Sequence, residues 1–235
     1  MTSLIWVTTI STSPHSFDSD EVSARLVVIR RRIEGAGGDP GVVRVVAVTK
    51  GFGPEAVATA RNVGLTDIGE NYSQELLAKS PGPEGTRWHF LGSVQRNKVP
   101  SLAPVVDLWQ SVARLVEGQR IAQYAPGATV LVQVDCSGQP GRNGCVAAEA
   151  PELVSALSQL DLRVRGLMTV APPAPEEAAR AFRVVVELAD SLGLPERSMG
   201  MSDDLELAVA AGSTMVRIGR ALFGPRSRSR EGREG

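Results

Sequence analysis

The sequence predicts a single (β/α)8 barrel, and three observations carry that expectation. Short β-branched or apolar runs alternate with helical patterns along the chain, the mark of βαβ units built on a parallel sheet. Eight such runs are present, with seven helical stretches between them. The 235 residues, 43% of them hydrophobic, suffice for one sizeable core, and no internal repeat or linker divides them. An open doubly wound sheet is the alternative; it needs a topological switch point, and no G-x-G-x-x-G turn follows the first strand.

Taken in order, residues 1–17 are rich in Ser and Thr but lack a basic leader, a clean apolar segment and a small-residue cleavage site, so they read as a loose N-terminal extension. Residues 18–37 form an amphipathic helix with Val22, Leu26, Ile29 and Ile33 at helical spacing, stopped by Gly35 and Gly37–Gly38. Strands are expected at Val42–Thr49, Thr66–Gly69, Trp88–Leu91, Val105–Trp109, Thr129–Val134, Val164–Thr169, Arg197–Met199 and Met215–Ile218. Helices are expected near 54–63, 72–79, 95–101, 112–123, 147–159, 176–192 and 203–211, with Gly or Pro at many junctions. Only a short turn around Arg220–Phe223 follows the eighth strand, where an outer helix belongs, and the N-terminal helix is the candidate to fill that place. The barrel is therefore drawn at 18–226, with SRSREGREG (227–235) as a solvated, disordered tail.

The net charge of −1 gives no overall pull toward nucleic acid or anionic membrane, so an anionic ligand must be met by a local site. No apolar run approaches the roughly 18 residues of a spanning helix. A cytoplasmic monomer is the expectation. Cys136 and Cys145 flank a Gly/Pro-rich turn and match neither a C-x-x-C motif nor a metal-ligand spacing; free thiols and no metal are expected. Of 25 basic residues only Lys50, Lys79 and Lys98 are lysines.

In such barrels the chemistry sits where the strands end. Lys50 ends the first run and by alternation shares the inward face with Val48 and Val46. Partial desolvation there would free its amine for attack on an aldehyde; a solvated lysine closing a strand remains the other reading. In Ser198–Asp204, Gly200 allows close backbone approach and Ser202 can donate to an anion. The other reading is a helix N-cap at Ser202 or Asp203, since Asp203 and Glu206 stand at capping-box spacing, and for this loop in isolation it is the stronger of the two. After the eighth strand, Gly219 and a short helical turn would offer N–H groups to an oxyanion, with Arg220 adding charge. Loops after strands seven and eight are a frequent phosphate site in barrels.

Arg217 lies one step inside that loop. Facing a pyridine nitrogen, it would donate a hydrogen bond and keep that nitrogen unprotonated, weakening the ring as an electron sink. Pairing with Asp203 or Asp204 is its alternative. Asn71, Met168 and His89 end or span other strands and are candidates for a ring pocket or for packing. The GRNG turn (141–144) reads as a flexible loop after strand five.

At these residues the sequence resembles the YggS/PROSC family of pyridoxal 5′-phosphate (PLP) homeostasis proteins. The motifs are AVTK (47–50), GENY (69–72), WHFLG (88–92), QRNK (95–98), RGLMT (165–169), SMGMSDD (198–204) and GSTMVRIGRALFG (212–224), in order over about 44–226. The resemblance implies a fold similar to the N-terminal barrel of alanine racemases. It implies a Schiff base on Lys50, Arg217 facing the pyridine nitrogen, and Ser202, Gly219 and position 220 holding the phosphate. Position 220 is often Thr in that family; Arg220 here removes a side-chain hydroxyl and leaves a backbone N–H. A non-catalytic PLP carrier serving apo-enzymes is the leading reading. An amino-acid racemase is the second. It needs acid/base groups on both faces of the substrate, and Tyr72 and Tyr124 are the only tyrosines. A Schiff-base aldolase is the third, and no Asp/Glu pair stands at the neighbouring strand ends.

Overall fold

The computed structural model describes residues 17–139 and 141–225. Helix α1 (Ser19–Gly35) opens on Asp18, whose carboxylate accepts from the N–H of Asp20 at 2.9 Å. Its apolar stripe, Val22, Leu26, Ile29 and Ile33, is fully buried, each side chain contributing about 1.5–3 kcal/mol of burial. The chain then alternates through β1 (Arg44–Val48), α2 (Pro54–Asn62), β2 (Asp67–Glu70), α3 (Ser73–Lys79), β3 (Arg87–Phe90), α4 (Val99–Leu102), β4 (Leu108–Val112), α5 (Leu115–Tyr124) and β5 (Thr129–Asp135). It continues with β6 (Cys145–Val146), α6 (Ala150–Ser158), β7 (Arg163–Met168), α7 (Pro175–Ser191), β8 (Glu196–Ser198), α8 (Leu205–Ala211), β9 (Met215–Ile218) and α9 (Arg220–Phe223).

All pairings are parallel, in the order β4-β3-β2-β1-β9-β8-β7-β5, and β4 pairs with β5 to close eight strands into a barrel. The two-residue β6 pairs with Val134 and Asp135, the C-terminal end of β5, beyond its pairings with β4 and β7. Val46, Leu108, Leu131, Met168 and Met215 plug the interior, while a larger apolar shell packs the strands against the helices. Helix α1 lies against α8, α9 and α2 and takes the outer place left open by the four-residue α9, as the sequence led us to expect.

Several boundaries depart from expectation. Strand β4 runs Leu108–Val112, not Val105–Trp109, because the N–H groups of Val105 and Val106 both donate to the Leu102 carbonyl and close the turn after α4. The helix near 95–101 shrinks to Val99–Leu102. The one near 147–159 begins as a 3-10 turn, Ala147–Glu149, before α6. The GRNG segment is tied down: Gln133 Nε2 donates to the Asn143 carbonyl at 2.9 Å, and Asn143 Nδ2 returns a bond to Gln133 Oε1 at 2.6 Å. Both cysteines are free, and burial pushes the Cys145 thiol up to about 11. The expectations for the extension (1–17) and the tail (227–235) fall outside the described residues apart from Phe17, whose ring packs edge-on against Phe52 and Phe223. Among the described residues no helix is long and apolar enough to cross a membrane, and no cluster of His, Cys, Asp or Glu is arranged to hold a metal ion.

Candidate functional site at the barrel mouth

Register brings distant residues together. Val46 stands beside Arg217 in the β1–β9 pairing, so both point into the barrel, and Lys50 lies just past the end of β1. A cavity of about 480 Å³ opens there, within the range of small-molecule sites. Its wall contains all seven residues singled out from the sequence for cofactor binding: Lys50, Asn71, Met168, Ser202, Arg217, Gly219 and Arg220. Val48, Leu91, Val170 and Met201 supply apolar walls. Three cations and a single carboxylate, that of Asp203, line it, a balance that favours an anion.

Arg217 is 5% exposed. Its Nη1 donates to Ser198 Oγ at 2.8 Å and its Nη2 to the Thr169 carbonyl at 2.7 Å. Burial lowers its pKa to about 10, leaving it charged at neutral pH. The alternative of an Asp203 or Asp204 partner is not what the structure has. Asp203 takes Arg220 instead, 2.6 Å from Nη2 to Oδ2, and Asp204 Oδ1 accepts from the N–H of Met201 at 2.5 Å.

Capping by Ser202 or Asp203 is also overturned. Helix α8 starts at Leu205 with no side-chain cap, and Glu206 is held by Arg32 of α1 at 2.6 and 2.8 Å. Ser202 Oγ accepts from the N–H of Ala221 at 3.2 Å, joining the loop after β8 to the first turn of α9. Arg32 Nη2 donates to the Ser202 carbonyl at 2.9 Å, so α1 props the same loop. Gly200, with φ of +96°, lets the chain turn there.

One part of the support was absent from the sequence reading. Lys79, the last residue of α3, buries its ammonium beneath the end of β1. Its Nζ donates to the Thr49 carbonyl at 2.9 Å, to Glu70 Oε1 at 2.5 Å and to Glu75 Oε2 at 3.0 Å. Thr49 Oγ1 reaches Glu70 Oε1 at 2.6 Å, and Glu75 Oε2 also takes the N–H of Gly51 at 2.7 Å. Both backbone neighbours of Lys50 are thus clamped. Burial drives the Glu70 pKa up against the pull of Lys79 and Thr49. The scarcity of lysine was the available signal.

Three residues considered from the sequence lie elsewhere. His89 is buried toward the opposite, N-terminal end of the barrel and does not line the cavity with Lys50. Tyr72 is 60% exposed and lines a neighbouring polar cavity, while Tyr124 ends α5 with Arg120 stacked 4.4 Å above its ring.

Residues 17–227 match the family described as alanine racemase, N-terminal domain. The pyridoxal phosphate homeostasis protein of Pseudomonas aeruginosa is 42% identical over 217 residues, covering 88% of this chain and 93% of that protein. The chain belongs to the pyridoxal phosphate homeostasis protein family. Its Escherichia coli relative is 38% identical over 236 residues, covering 90% of this chain and all of the relative. Among solved structures, PipY of Synechococcus elongatus with PLP bound shares 30% identity, with a TM-score of 0.74 over 86% of this chain and all of PipY. An alanine racemase from Corynebacterium glutamicum, 17% identical with a TM-score of 0.69 over 92% of this chain and 64% of the racemase, shares the barrel fold.

Proposed function

We propose that this chain binds PLP reversibly at the barrel mouth, as a Schiff base on Lys50, and serves intracellular PLP homeostasis as a carrier without robust catalysis of its own. The observation that carries the reading is the convergence of seven residues, spread from position 50 to 220, on one cavity with cationic, hydroxyl and apolar walls. That donor set fits the cofactor. Bound PLP supplies an aldehyde that condenses with an amine, with loss of water. Lys50 provides the amine, and the clamp on Thr49 and Gly51 fixes the backbone from which it reaches. Met168, Val170 and Leu91 give the ring an apolar bed, and Asn71 borders its edge. Ser202, Gly219 and Arg220 hold the phosphate; a phosphate arriving there competes with Asp203 for Arg220. Arg217 donates to the ring nitrogen and, staying charged, disfavours protonation of that nitrogen.

The relatives named for PLP homeostasis and the PLP-bound PipY support the cofactor assignment. The exposed position of Tyr72, off the Lys50 cavity, favours a carrier over a racemase, which needs an opposing acid/base group. Release to PLP-dependent apo-enzymes from a monomeric carrier completes the proposal. The test is to load purified protein with PLP, reduce it with borohydride and locate the added pyridoxyl group by peptide mass. Modification at Lys50, its loss in Lys50→Ala and negligible racemisation of alanine and serine are expected. A label elsewhere sinks the site, and robust turnover sinks the carrier.

A further inference from the structure

A chain of buried polar side chains crosses the barrel from mouth to floor. Arg217 Nη1 donates to Ser198 Oγ at 2.8 Å, and Ser198 Oγ lies 2.6 Å from Gln110 Oε1. Gln110 Nε2 lies 2.7 Å from His89 Nδ1 and 3.1 Å from Met215 Sδ. His89 Nε2 stands 3.0 Å from Asp67 Oδ1, and Asp67 Oδ2 accepts from Arg87 Nη2 at 2.6 Å. Ser198, Gln110, His89 and Asp67 are all buried.

Its two ends give this chain a single direction. A guanidinium only donates, and an ionised carboxylate only accepts. Since Ser198 Oγ must accept from Arg217, its one proton goes to Gln110 Oε1. The amide is thereby oriented with Nε2 toward His89, so Nδ1 must be the bare, accepting nitrogen and Nε2 must carry the proton given to Asp67. A proton on Nδ1 would face the Gln110 amide N–H2. Turning that amide over would point its N–H groups at Ser198, whose hydroxyl hydrogen would then have no acceptor among these partners. Burial, which disfavours the imidazolium, works in the same sense.

We propose that Ser198, Gln110 and His89 are positioning residues for Arg217. The His89 tautomer, fixed by Asp67 at the barrel floor, turns the Gln110 amide so that its Oε1 accepts the Ser198 hydroxyl hydrogen and holds that hydroxyl where its lone pair takes the Arg217 guanidinium. The inference rests on the reading that Arg217 faces the PLP ring. It extends the working site through the whole barrel, to residues that touch no ligand.

The test uses the full chain labelled with 15N-histidine, which gives only two imidazoles, His15 and His89; His89→Gln assigns them. Expected at neutral pH is a neutral His89 protonated at Nε2, whose ring nitrogen shifts move when PLP is added. Gln110→Leu is expected to bind PLP roughly fivefold more weakly, the equivalent of about 1 kcal/mol, and to alter the visible spectrum of the bound cofactor. A cationic His89, or one protonated at Nδ1, overturns the relay outright. So do unmoved His89 signals in a sample whose visible band shows PLP bound. Absence of that band in the wild type overturns the functional reading instead, and the tautomer of the unloaded chain still decides the bond sequence. If Gln110→Leu fails to fold, the wild-type spectra decide alone.

Discussion

Lys79→Met offers a direct measure of how the lysine-bearing turn is held. Lys79 and Glu70 side chains are 3% and 0% exposed, so the substitution strands a carboxylate in the interior. Glu70 would keep only the Thr49 hydroxyl, and its Oε2 already has no hydrogen-bond partner among the described residues. Breaking one side of a buried pair costs about 3–5 kcal/mol. For a chain of this size that lowers the melting temperature by roughly 6–20 °C. Adding Glu70→Leu removes the stranded charge, so the double variant should recover most of the loss in urea denaturation. PLP affinity should not recover with it, because the Thr49 carbonyl has lost its ammonium partner. A single variant costing under about 1 kcal/mol, or a double variant less stable than the single, would refute the reasoning.

Three further outcomes follow from the same packing. Gly92→Ala would put a Cβ 1.9 Å from the Asn71 carbonyl oxygen; a loss of about 1–3 kcal/mol in denaturation midpoint and weaker PLP binding are expected. Burial, opposed by Asp67 and aided by Arg44 and Arg87, holds His89 below the usual imidazole range. The unfolded chain therefore binds more protons below about pH 6.5, so stability is lost as the pH drops through that range, by up to about 1.4 kcal/mol per unit. His89→Gln should flatten that part of the profile, while Asp67, held well below the usual carboxylate range by His89 and Arg87, is lost only at lower pH. The Cys145 thiol, pushed up to about 11, should alkylate at mildly alkaline pH roughly two orders of magnitude slower than in urea, followed by peptide mass.

Much of this site was legible because a parallel barrel turns strand ends into neighbours. Lys50 and Gly219 each close an apolar run, with Arg217 two residues before Gly219, and finding where those runs stop was enough to bring them together. Strand β4 was harder to place. Gln110 and Ser111 are polar yet fully buried, so hydropathy put the strand three residues early, on Val105 and Val106. The Lys79 clamp was hidden for a related reason. Its position on a short amphipathic helix resembles any solvated lysine, and only the depth of Glu70 beneath β1 gives it an inward direction. His89 could be judged structural from its aromatic neighbours, but its partners come from strands whose pairing the sequence does not state.

Helix α1 precedes β1 in sequence but fills the ring position that follows β9. Moving it behind α9 would leave every strand pairing intact, so the connectivity is a circular permutation of the usual strand-first order. The seam between the last strand and the first is thereby bridged by a segment drawn from outside the βα repeat. Because Arg32 on that segment grips both the Ser202 carbonyl and Glu206, the bridge also shapes one wall of the ligand cavity. Joining another polypeptide to this helix would therefore bear on ligand grip as well as on folding.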